Sequence, residues 1–156
     1  MIYLATIPIP EKRPETNPIK RILEINKGLI WRIEAEYPAG CCGLVHLQIF
    51  DGSYQLFPAT PGESLRGDAV TVSYDDLYLK TAAPFELTLK AWNEDETYPH
   101  TIQVRIGMAT SEAFMSRYMP SISWEKFQGT IEAAAVEQEK VKQEQLEKIK
   151  QIPGEE

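Results

Sequence analysis

Two histidines, two adjacent cysteines and two acidic clusters are the residues here whose chemistry could go beyond packing: His46, His100, Cys41, Cys42, Asp75-Asp76 and Glu94-Asp95-Glu96. A zinc site needs three or four ligands at recognisable spacing, and these histidines lie far apart with only an adjacent cysteine pair to help. Neighbouring cysteines close a disulfide only under strain, so buried free thiols are expected. Calcium loops alternate oxygen ligands around a glycine, which neither acidic cluster does. Both clusters are expected at solvated hairpin tips. No glycine-rich phosphate loop or nucleophile elbow occurs. The expectation is therefore a non-enzyme with no catalytic residue, no cofactor and no metal. Aromatic faces stack on sugar rings, so Trp92, Tyr98 and Tyr78 beside acidic loops keep one alternative open: a carbohydrate- or other ligand-binding module on a fibre or secreted complex. A hydrolase with an unrecognised site ranks behind both.

The elements that would position these residues read as strands. In 29–37, Leu29, Trp31, Ile33, Ala35 and Tyr37 alternate with Arg32, Glu34 and Glu36, the pattern of a half-buried antiparallel strand. Arg21–Ile25 precedes it across Asn26-Lys27-Gly28, which predicts a hairpin. Gly43–Phe50 and Tyr54–Phe57 flank Asp51-Gly52, a second hairpin signal. His46 falls on the face opposite Val45, Leu47 and Ile49. Val70, Val72 and Tyr74 alternate next, then Phe85, Leu87, Leu89 and Ala91 as an inward set, then Ile102, Val104 and Ile106. Seven or eight short strands without intervening helices predict a mainly β fold, an antiparallel β-sandwich of jelly-roll or immunoglobulin-like type. The paired distant cysteines of immunoglobulin domains are absent.

Both ends differ from this middle. Ile2–Ile9 is an apolar segment, and Pro8, Pro10, Pro14 and Pro18 make the stretch around it an extended arm or connector. Beyond Gly107, Ser111 is expected to cap a short helix through Tyr118, and Ser123 a longer one from Trp124 to about Ile149, ended by Pro153-Gly154. Trp124, Phe127, Ile131 and Ala134 or Ala135 share one helical stripe, while the distal part is polar. The chain thus divides into an N-terminal strand and Pro-rich arm (1–19), a β-sandwich (20–108) and a C-terminal helical tail (109–156). Pro8, Pro10, Pro14, Trp124, Phe127 and Ile131 are the candidate interface residues.

The whole chain has 156 residues and a net charge of −7. Scattered bases under an acidic surplus do not make a nucleic-acid face. No apolar run approaches the roughly 18 residues of a membrane span, and the N-terminus lacks a secretory pattern. Tyr37-Pro38-Ala39-Gly40-Cys41-Cys42-Gly43-Leu44-Val45-His46, with Leu47-Gln48-Ile49, Gln55-Leu56-Phe57-Pro58 and the later Trp92-Asn93-Glu94-Asp95-Glu96-Thr97-Tyr98-Pro99-His100-Thr101, resembles small β-sandwich proteins encoded among the structural genes of tailed bacteriophages and related viruses. The resemblance spans about half of the sandwich and none of the tail. It implies a virion component assembled in the host cytoplasm, decorating the capsid or bridging its parts. Its partners would be other virion proteins, the capsid shell first among them, and further copies of itself, with no nucleic acid and no membrane. It implies no catalytic residues.

Overall fold

The structure, a computed structural model, describes residues 1–118 and 124–151. Nine strands come first: β1 (Ile2–Ile9), β2 (Ile19–Glu24), β3 (Gly28–Tyr37), β4 (Val45–Asp51), β5 (Tyr54–Phe57), β6 (Leu65–Arg66), β7 (Val70–Lys80), β8 (Glu86–Asn93) and β9 (His100–Ala109). Two helices follow, α1 (Ser111–Tyr118) and α2 (Trp124–Gln151). The chain forms two compact units, Met1–Ala109 and Thr110–Glu156.

In the first unit one sheet runs β1-β9-β3-β7 and the other β2-β8-β4-β5, with β6 also on β4. All pairs are antiparallel. Apart from the β4–β5 hairpin and the short β6, successive strands change sheet, so the chain wraps both layers in the strand order of a jelly roll. This is the β-sandwich that the alternating stretches predict. Its centre is built from the inward set of each strand: Ile7 and Ile9 of β1, Leu47 and Ile49 of β4, Leu87, Leu89 and Ala91 of β8, and Ile102, Val104 and Ile106 of β9. Each large aliphatic side chain taken fully from water contributes about 1.5–3 kcal/mol.

Three local expectations need correction. β2 and β3 are not a hairpin: β2 pairs with β8 and β3 with β7 and β9, so the turn at Asn26-Lys27-Gly28 crosses between sheets. Gly28 there meets β9 so closely that a Cβ would lie 2.8 Å from the Ala109 carbonyl oxygen. Strict alternation in β3 is also broken. The register shifts between Ile30 and Arg32, so Ile30, Ile33, Ala35 and Tyr37 join the core while Trp31 and Arg32 sit against Gly107. A bulge inserts one residue and reverses the parity upstream of it. Finally, Phe85 precedes β8 and is exposed rather than inward.

The N-terminal segment is integral to the sandwich. β1 pairs along its whole length with β9, and Arg13 bridges to Asn93 across the proline-rich stretch that carries the chain to the second sheet. In the second unit, Thr110 rather than Ser111 caps α1. Its Oγ1 accepts the Ala113 amide at 3.2 Å and its carbonyl the Phe114 amide at 3.0 Å. Ser123 and Pro153-Gly154 lie outside the described residues. Between Glu125 and Glu147 only Phe127 is buried; Ile131, Ala135, Gln138, Lys142 and Gln145 follow it half-buried at helical spacing.

Candidate functional site

The residues with chemical potential are distributed over the outer faces and ends of the sandwich. His46 projects from β4 on the face away from Val45, Leu47 and Ile49, as the alternation predicts, yet it is buried. The cause is the segment 58–64, held down over β4 and β5 by two glutamines. Gln55 Nε2 lies 2.7–2.9 Å from the carbonyls of Pro58, Thr60 and Glu63, and Gln48 Nε2 donates to the Glu63 carbonyl at 3.1 Å. Gly62 N donates back to Gln55 Oε1. Beneath this segment His46 Nδ1 meets Ser64 Oγ at 2.8 Å, and its ring stacks on Trp92 with centroids 4.8 Å apart. Burial pushes the His46 pKa down, against the pull of Glu94, whose carboxylate is 3.6 Å from Nε2.

A hydroxyl, an imidazole and a carboxylate in sequence are the components of a nucleophilic relay. Here the carboxylate stands 3.6 Å from Nε2, and Trp92 covers a face of the ring. His46 Nε2, Trp92 Nε1 and Arg13 Nε are buried with no hydrogen-bond partner among the described residues.

The acidic loop between β8 and β9 is a built turn. Asp95 Oδ1 accepts the amides of Thr97 and Tyr98 at 2.7 and 3.1 Å, and Oδ2 lies 3.1 Å from His100 Nε2. The Thr97 amide first, then His100 and the Tyr98 amide, hold the Asp95 carboxyl below its ordinary range. Fully buried Asn93 ties this loop to the N-terminal connector by donating to the carbonyls of Tyr98 and Pro10. Asp75-Asp76 lies within β7, not at a hairpin tip, and Asp75 accepts from Arg32 at 3.1 Å. Of the cysteines, Cys41 is buried and Cys42 exposed, both free. Burial raises the Cys41 pKa, which keeps its thiol protonated. Among the described residues no group of three His, Cys, Asp or Glu side chains could hold a metal ion, and no helix is long and apolar enough to cross a membrane.

Of the aromatic residues that could stack on a sugar, Trp92 and Tyr78 are inside, 4% and 2% exposed, and Tyr98 alone stands out at 64%. Among the interface candidates, Pro8 is exposed in β1 opposite Thr101, and Pro10 and Pro14 are exposed in the connector. Phe127 is buried and stacks on Phe114 of α1 at 6.3 Å, Ile131 is half-buried one turn on, and the Trp124 side chain lies outside what is described. Pro8, Pro10 and Pro14 belong to the first unit, Phe127 and Ile131 to the second.

Three features escaped the sequence. The first is β7: its inward residues Val70 and Tyr74 remain 43% and 45% exposed, and Leu77 is exposed on its other side, along an eleven-residue edge strand. The second is a buried ion pair between the layers, Lys80 Nζ to Asp51 Oδ1 at 2.6 Å, with the Tyr78 hydroxyl donating to Oδ2. The third is the charge order on the outer faces. On the first sheet, Asp75, Arg32, Glu34, Arg105 and Glu36 alternate in sign and pair with one another. No such alternation exists on the second.

The fold and these surfaces define a jelly-roll sandwich with a separate helical unit. No protein-family model, no curated protein and no solved structure matches the chain.

Proposed function

We propose that this chain is a non-enzymatic structural protein of a virus particle, decorating the capsid or bridging its parts through protein–protein contacts. The reading rests above all on β7. β7 is an edge strand whose Val70 and Tyr74 stay exposed, and an edge of this kind can template pairing with another chain. The jelly roll is an architecture common among viral capsid and lectin domains, which supports the setting by analogy of fold. The buried polar groups support the non-enzymatic part: Gln48, Gln55, His46 and Asn93 all anchor loops. Contacts from the ends would come from Pro8, Pro10 and Pro14 and from α2, where Val136 is 71% exposed.

Mass spectrometry of purified particles, paired with cross-linking, tests the reading. The chain is expected in the particle at a fixed ratio to the shell protein, with cross-links running from β7. Recovery only as a free monomer overturns it. Labelling of Ser64 by a fluorophosphonate probe would overturn the non-enzymatic part.

A further inference from the structure

The outer face of the second sheet carries its charges in an unusual order. β2 and β8 are paired so that Lys20 stands opposite Lys90, Ile22 opposite Thr88 and Glu24 opposite Glu86. Phe50 of β4 lies opposite Thr88 on its other side, extending the middle row to Ile22–Thr88–Phe50. Like charges directly opposite each other in a sheet are destabilising, and this patch has two such pairs, one of each sign. They cannot neutralise each other. Four residue steps along the strand separate the lysine row from the glutamate row, about 13 Å. None of the four has an ion-pair partner among the described residues. Lys90 instead sits over the Phe50 ring at 3.8 Å. Burial, then the neighbouring Lys20, lowers its pKa. In the centre Ile22 is 56% exposed.

From this juxtaposition of two lysines, an apolar row and two glutamates we infer that a second copy of this chain docks here, face to face, about a two-fold axis along the Ile22–Thr88–Phe50 row. Rotation about that axis reverses the strands and preserves the order across them. Lys20 then faces Glu24 of the other copy, Lys90 faces Glu86, and Ile22 meets Ile22. Each of these charges meets one of opposite sign, and each pair occurs twice about the axis, which is the self-complementarity that a closed isologous contact requires. The first sheet offers no comparable surface, because its charges are already paired within the copy. This inference deepens the assembly reading above and rests on it.

Charge-swapped variants of the full chain test it by sedimentation velocity. Wild-type protein is expected to dimerise, more weakly as salt rises because the charge rows are screened. Lys20→Glu with Lys90→Glu puts four glutamates on the face, and Glu24→Lys with Glu86→Lys puts four lysines there. Each variant alone should associate roughly 100-fold or more weakly, since like charges now meet across the axis. An equimolar mixture of the two should restore the dimer as a heterodimer. If either variant fails to fold by circular dichroism, Ile22→Cys in a Cys42→Ser background replaces it: a short bis-maleimide should link two copies through residue 22. A wild type that stays monomeric to about 100 μM overturns the inference. So does a wild-type dimer that survives both charge reversals, or the absence of a cross-link. Association that survives reversal removes this face while leaving the assembly reading, which particle composition tests separately.

Discussion

At His46 burial and charge act on one ring from several sides. The loop above excludes water, Arg66 opposes protonation, and Glu94 and Glu15 favour it; burial dominates and the pKa falls. The folded state therefore prefers the neutral ring. As pH drops below the ordinary histidine value of about 6.5, the unfolded chain takes up a proton that the folded chain refuses. Stability is full above that value and is lost as pH falls from it toward the lowered folded value. Replacing His46 by Gln should flatten this part of the profile, at a cost of about 1 kcal/mol at pH 7.5 for the lost Ser64 bond. Urea melts at pH 7.5, 6.5 and 5.5 on both proteins check it. Equal slopes in the two proteins would show that another group governs the window. That His46 faces away from the core was legible from its place among Val45, Leu47 and Ile49. That it is buried was not, because the cover comes from residues 58–64, whose sequence reads only as a loop.

At the scale of elements, period-two alternation identified β4, β8 and β9 directly, because every second residue of each meets the opposing sheet. It failed in β3, where an inserted residue reverses parity without leaving a compositional mark, and it could not assign β2 to a sheet. Turn chemistry specifies that the chain reverses and not which layer it joins. The same blindness hid the pair that ties the layers together. Lys80 ends β7 in one sheet and Asp51 ends β4 in the other, and both side chains are nearly closed to water. Removing one partner of such a pair leaves a buried charge uncompensated. Lys80→Met is thus expected to cost about 3–5 kcal/mol in urea unfolding. Pairing it with Asp51→Leu should recover part of that loss, so that the double variant is less destabilised than the sum of the singles. Additive costs would mean that the two residues act separately.

For the molecule as a whole, the chain divides at Ala109 into two compact units. Every member of the sandwich core lies between Ala5 and Met108. In the helical unit apolar side chains meet each other, Phe114 against Phe127, before α2 becomes mostly polar. A protein ending at Gln128 keeps that stack and every strand but loses most of α2. It should unfold cooperatively in urea with a midpoint close to that of the full chain, followed through Trp31 and Trp92, which both lie in the sandwich. Particle binding, by contrast, should fall. Loss of the cooperative transition would show that α2 completes the fold rather than extending it, and would withdraw the helix from the list of contacts. An intact transition with undiminished binding would assign assembly to the sandwich alone, where the edge of β7 and the outer face of β2 and β8 are the surfaces that remain.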